Sequence, residues 1–222
     1  MPLDVSQLTL DFGPPPPPGF DNFVPGRNRE CVTALRALLA QLREPVSPSN
    51  RFIYVWGPAG SGKSHLARAL EAQRLEHLTV VDDCHRLPQA GQEQLFHRFN
   101  ALTQNPALAL VAFGDAPPAR LSLMPELASR LSWGMVFGLE PLDDDELQAA
   151  IEHAAHERGL SIAGDVSGYL IRHTRRDMAG LKTILDGLDR LSLQQKRPVT
   201  LPLLRTLLKG DAMSPRMPDR IP

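Results

Sequence analysis

The sequence predicts an α/β fold in which a parallel sheet with helices between its strands is followed by a small all-helical part. Three observations lead there. The apolar run Phe52–Trp56 passes straight into a glycine-rich turn and a helical pattern. Further short apolar runs, at 78–81, 108–113 and 135–139, alternate with stretches of helical periodicity, the order that parallel sheets need. Beyond Pro141 the apolar positions recur only at helical spacing.

Composition permits this architecture. A chain of 222 residues that is 42% hydrophobic can bury roughly 70% of its unfolded surface, enough for one good core and a small second one. No apolar run approaches the ~20 residues of a membrane helix, and the N-terminus lacks the charged-then-apolar order of a signal peptide. With only Cys31 and Cys84 available, a disulfide framework is not expected, and the reading is a cytoplasmic protein without membrane contact. A formal net charge of −1 argues against bulk nucleic-acid affinity, so DNA is expected as an indirect partner only. The seven histidines show no zinc spacing, and no structural metal is expected.

At the N-terminus the prolines 14–18 form a stiff polyproline II spacer that cannot join a core. The peptide before it, Gln7-Leu8-Thr9-Leu10-Asp11-Phe12, is displayed on that stalk. Its QLxLxF form resembles the hexapeptide with which bacterial replication proteins bind the polymerase sliding clamp. The Gln7 amide can donate and accept hydrogen bonds, while Leu8, Leu10 and Phe12 supply apolar surface. Burying Leu10 and Phe12 gives about 3–6 kcal/mol before ordering costs, so one peptide binds weakly and a ring of identical sites supplies avidity.

Residues 20–39 combine a turn-forming lead-in with an amphipathic helix in which Val32, Leu35, Leu38 and Leu39 recur at helical spacing. A loop with Pro45 and Pro48 precedes the first strand. The turn after that strand, Gly57-Pro58-Ala59-Gly60-Ser61-Gly62-Lys63-Ser64, fits G-x-x-x-x-G-K-[ST], and His65 continues it into a helix. Glycines let the backbone turn tightly and approach a ligand. Amides of residues 59–64 then point at the β-phosphate, assisted by the positive end of the helix. Lys63 adds a point charge and Ser64 a hydroxyl for Mg²⁺, so ATP or ADP with Mg²⁺ is the expected cofactor.

The run at 78–81 ends in Asp82-Asp83, a Walker B pattern: Asp82 is placed for the metal shell and Asp83 to polarise water or orient the metal ligands. Between Ser64 and Leu78 there is room only for one helix. A helix expected from Gly91 to Thr103, with Leu95, Phe96 and Phe99 inward, then leads to the buried strand 108–113, which delivers Asp115 at its carboxyl end, where ligands sit in open parallel sheets.

A wider resemblance rests on four stretches: Phe20-Asp21-Asn22-Phe23-Val24 with Gly26 and Asn28; the P-loop and Asp82-Asp83; Leu127-Ala128-Ser129-Arg130-Leu131 with Trp133-Gly134; and Arg175-Arg176-Asp177-Met178-Ala179-Gly180-Leu181. Together they resemble the AAA+ ATPase region of the DnaA family of bacterial replication initiators. The resemblance implies an AAA+ P-loop NTPase with a helical lid, in which Val24 and Pro25 pack on the base. It gives Asp115 the part of a first sensor between strand and γ-phosphate. Arg130 becomes an arginine finger offered to a neighbouring subunit's nucleotide, and Arg176, or Arg175 in its stead, the lid arginine that reaches the phosphates.

Against that family the chain departs in two ways. The strand usually found before Walker B is missing, so the sheet is expected to lack one edge strand. No helix-turn-helix domain is expected after the lid. A small DnaA-type core preceded by a clamp-binding peptide is similar to the Hda family of DnaA-related regulators. That resemblance implies a negative regulator of initiation, with the sliding clamp and DnaA as partners and a homodimer or larger AAA+ assembly. The chain itself would be a weak ATPase that stimulates hydrolysis of DnaA-bound ATP through Arg130. A loader or remodelling ATPase acting on a helicase or DNA, and a non-enzymatic clamp-bound adaptor, are alternatives. The expected organisation is 1–19 peptide and linker, 20–141 nucleotide-binding domain, 142–210 lid and 211–222 tail.

Overall fold

The computed structural model describes residues 17–44, 47–173, 178–195 and 198–212. The expected clamp peptide, Gln7, Leu8, Leu10 and Phe12, lies outside the described residues, as do Arg175 and Arg176.

Four strands form one sheet in the order β2-β3-β1-β4: β1 Phe52–Trp56, β2 Leu78–Val81, β3 Ala109–Gly114 and β4 Met135–Gly138. All pairings are parallel, with Phe52 opposite Leu110, Ile53 opposite Met135 and Leu78 opposite Ala109. The carboxyl ends of all four strands therefore share one edge. There the chain turns into the P-loop, the Asp82-Asp83 pair and the loop of Asp115.

Why these runs become central strands follows from where their side chains go. Alternate residues of a strand face opposite sides. Ile53, Val55, Val111 and Phe113 pack with Leu35, Leu38 and Leu39 of α1 (Arg29–Leu42) and with Leu66 and Leu70 of α2 (Lys63–Glu71). Tyr54, Leu110 and Ala112 face the other way, onto Leu95, Phe99 and Leu102 of α3 (Gln89–Thr103) and onto Leu127 and Leu131 of α4 (Pro125–Leu131). All six residues of β3 are buried, as a strand covered on both faces requires.

The boundaries differ from the sequence pattern in small, explicable ways. Residues 20–25 are not helical, in keeping with the turn-forming lead-in, and after a short 3₁₀ turn at Gly26–Asn28 helix α1 runs beyond 39, to Leu42. Helix α3 starts two residues before the expected Gly91, after Pro88 in extended geometry. Its C-terminal end is closed from outside: the Arg51 guanidinium donates to the carbonyls of Leu102, Thr103, Asn105 and Leu108. That places a cation where the helix leaves carbonyls unpaired.

The sheet has the missing edge that the sequence implied. Helix α2 ends at Glu71 and β2 begins at Leu78, so residues 72–77 make only a turn, and among the described residues β2 pairs with β3 alone.

Helices α5 (Asp144–His156), α6 (Gly164–His173), α7 (Met178–Gln195) and α8 (Leu201–Ala212) carry a separate core. It is built from Leu147, Ile151, Leu170, Leu181, Leu185, Leu188 and Leu204. Helix α5 opens with a reciprocal capping box between Asp143 and Glu146. Among the described residues no helix is long and apolar enough to cross a membrane.

Candidate nucleotide site

A cavity of about 590 Å³ opens where the strand ends, the helical part and the segment before α1 meet. Its size falls in the range of small-ligand sites. Its floor is the glycine-rich turn. Gly60 and Gly62 adopt φ of +82° and +95°, a region that side-chain-bearing residues rarely occupy. Ala59, Gly60, Ser61, Gly62, Lys63, Ser64 and His65 all line the cavity. Gly57 and Pro58 do not; their carbonyls instead accept from the Lys63 ammonium at 2.7 and 2.9 Å.

Two features of this floor suit an anion. Lys63 is 8% exposed, and burial lowers its pKa, while Asp83, Asp82 and Asp115 pull it back up. The hydroxyl of Ser61 is buried with no hydrogen-bond partner among the described residues. A group of that kind normally has one.

The carboxylates stand at one end. Asp83 and Asp115 line the cavity; Asp82 does not, and its Oδ1 accepts the amide of Asp83 at 2.9 Å. Asp83 sits in left-handed geometry at φ +47°, an outlier of the sort that collects at functional sites. His85 lies between the two acids, 4.0 Å from Asp83 and 3.7 Å from Asp115, too far for hydrogen bonds. The Arg86 guanidinium comes within 3.4 Å of Asp83. From below, the Tyr54 hydroxyl donates to the Ala116 carbonyl at 2.8 Å and steadies the turn that carries Asp115.

Over the floor runs a strap, residues 18–28. The Gly19 carbonyl is 2.9 Å from His65 Nε2, and the Gly19 amide donates to Asn22 Oδ1. Phe23 lies against both His65, at 5.4 Å between ring centroids, and Gly62. Burial lowers the His65 pKa, which favours the neutral ring. Val24 lines the cavity, whereas Pro25 lies outside its wall and accepts the Asn28 amide through its carbonyl. Asn28 then ties the strap to the strand ends: its side chain donates to the Glu140 carbonyl at 2.8 Å and accepts the Glu140 amide at 2.9 Å.

Arg130 is held elsewhere. On α4, its Nε donates to Asn100 Oδ1 at 2.9 Å and its guanidinium lies 3.9 Å from the centre of the Trp133 ring, itself 59% exposed. It does not line this chain's own cavity.

The structure therefore gathers Ala59 to His65, Val24, Asp83 and Asp115 around one space and adds residues that pattern reading missed. Phe23 and Asn28 stood inside a quoted stretch but without a role. His85 and Arg86 follow the paired aspartates with only Cys84 between, and that nearness was the available signal. Met178 likewise stood inside a quoted stretch without a role, and Lys182, which lines the cavity with it from α7, gave no sequence signal of its own. Among the described residues no group of three or more metal-binding side chains converges.

Comparison with known proteins agrees with this geometry. Residues 143–208 match the family described as "Hda, lid domain". Domain III of the Thermotoga maritima replication initiation protein DnaA superposes with a TM-score of 0.69 at 20% identity, over 89% of this chain and 97% of that one. AMPPCP-bound DnaA from Aquifex aeolicus gives 0.66 at 19%, over 88% and 69%. The Thermotoga maritima RuvB Holliday junction branch migration motor gives 0.63 at 19%, over 87% and 72%. Residues 143–208 thus resemble an Hda-type lid, and the chain as a whole, four-stranded parallel sheet included, has the fold of these DnaA and RuvB structures.

Proposed function

We propose that this protein is a clamp-associated regulator of replication initiation that stimulates hydrolysis of ATP bound to DnaA. The observation that carries the reading is the position of Arg130. It sits outside the chain's own cavity, on a surface shared with an exposed tryptophan. Its hydrogen bond to Asn100 uses Nε, and neither terminal nitrogen has a hydrogen bond among the described residues. A guanidinium so presented fits a finger inserted at a partner's nucleotide, where such a group is worth ~10³–10⁵ in rate.

The chain's own cavity binds ADP or ATP in this reading. The buried Ser61 hydroxyl, the left-handed glycines and the buried ammonium of Lys63 suit a phosphate group. Mg²⁺ would be held by Ser64 and Asp82 and would offset phosphate charge. Asp83 and Asp115 orient water and the terminal phosphate, and Val24 packs near the base; by the resemblance Arg176, outside the described residues, would be the lid arginine for the phosphates. Bound nucleotide sets the shape and assembly of the protein, as a homodimer or larger AAA+ ring, more than it fuels work. The peptide with Gln7, Leu8, Leu10 and Phe12 docks on the sliding clamp, which places the reaction in the cytoplasm on replicated DNA.

The test is hydrolysis of ATP preloaded on DnaA, with and without DNA-loaded clamp. Clamp-dependent acceleration is expected, with loss in Arg130→Ala and in a variant with Gln7, Leu10 and Phe12 changed to alanine. No acceleration by the unaltered protein would overturn the reading.

A further inference from the structure

Among the described residues of the helical part, Lys182 is the cation that lines the cavity. It lies on α7, is half-buried, and lines the same cavity as the phosphate loop. No carboxylate comes within 4.0 Å of its ammonium among the described residues, and its hydrogen bond there goes to a neutral group, the Asn22 carbonyl of the strap, at 3.2 Å. Burial lowers its pKa, Arg158 lowers it further, and Glu157 and Asp186 only partly compensate. A buried cation without an acid partner is costly unless something offsets it. An ammonium has three donor hydrogens, and one of them is spent on Asn22.

We infer that Lys182 is a nucleotide-binding residue, contributed by the helical part, whose ammonium contacts the phosphates of the nucleotide while holding the strap through Asn22. The inference rests on the nucleotide reading of the cavity proposed above. It gives the closure of the site a chemical basis. The floor supplies amides and Lys63, with Arg68 and Arg86 also on the lining, the strap supplies Phe23 and Val24, and the helical part supplies one more cation. One ammonium then joins the helical part, the strap and the ligand. Met178, one turn earlier on α7 and on the same wall, gives that contact an apolar neighbour.

The experiment is equilibrium binding of a fluorescent ADP analogue to the full chain, at several salt concentrations, for the unaltered protein, Lys182→Met and Lys182→Arg. Loss of one charge-assisted contact is expected to raise the Kd about 10-fold or more in Lys182→Met. The salt dependence of the remaining binding should become shallower, and Lys182→Arg should bind within about 3-fold of the unaltered protein, since it keeps the charge. Undiminished binding by Lys182→Met overturns the inference. So does weakened binding with the salt dependence unchanged, which marks Lys182 as a clasp for the strap alone. So does binding lost in both variants. Absence of ADP binding by the unaltered protein, already at low salt, removes the nucleotide reading and this inference with it.

Discussion

The ring of Phe23 stands directly over Gly62, so close that a β-carbon at position 62 would lie 2.6 Å from Cε2 of the ring. The strap and the phosphate loop are thus fitted to one another at a place where only glycine leaves room.

Gly62 also has a φ of +95°, so its replacement meets two obstacles. Gly62→Ala is expected to lose about 1–3 kcal/mol of stability from backbone strain and to abolish nucleotide binding. Adding Phe23→Ala relieves the clash but not the strain. Urea denaturation of the single and double variants should therefore show partial recovery of stability and no recovery of binding.

Asn28 is 6% exposed and its amide spans both backbone groups of Glu140. Asn28→Ala leaves that peptide donor and acceptor unmatched, at a cost of about 1–3 kcal/mol. Asn28→Asp keeps the acceptor but faces the Glu140 carbonyl with a second oxygen, so it should also destabilise. A thermal melt in which Asn28→Asp equals the unaltered protein would refute this account of the bridge.

Lys63 gives a pH signature. Its folded pKa lies below the ordinary 10.5, so the unfolded chain holds the proton more tightly. Stability attributable to Lys63 is therefore present above 10.5 and is lost as the pH falls through its folded pKa. Lys63→Met removes that dependence. The stability of the unaltered protein minus that of Lys63→Met should rise with pH across this window, and nucleotide binding should be absent in the variant.

Burial pushes the thiols of Cys31 and Cys84 up to about 12 from 9.0. The folded state favours the neutral thiol, so its contribution is complete below pH 9 and is lost as the pH rises from 9 to about 12. At pH 8 a thiol-specific reagent should label neither cysteine in the native protein and both once the chain is unfolded. Rapid native labelling would contradict their buried placement.

Much of this was legible because it is local. The strand Phe52–Trp56, the glycine turn and the helix after it follow each other within twenty residues, and their order is enough to place the turn at the carboxyl end of a parallel strand. The missing edge strand was legible for the same reason, since residues 72–77 cannot hold a strand and its crossover. The helical part announced itself by periodicity, and its capping box is written in Asp143 and Glu146. Element ends were less clear. Helix α3 begins at Gln89 because of the geometry of Pro88, which an apolar pattern starting near Leu95 does not show.

What the sequence by itself determined is the chemistry available: a glycine turn with a lysine, paired aspartates after a strand, an arginine beside a tryptophan. What only the tertiary structure decided is which of these face one another. Asp83 rather than Asp82 reaches the cavity wall because the chain turns left-handed there. Phe23 meets Gly62 and Asn28 meets Glu140 across 39 and 112 positions of chain, and Lys182 meets Asn22 across 160. Such pairings follow from how α1, the sheet and α7 pack. A side chain's neighbours across an interface depend on the burial of whole helix and strand faces, and no spacing along the chain encodes them.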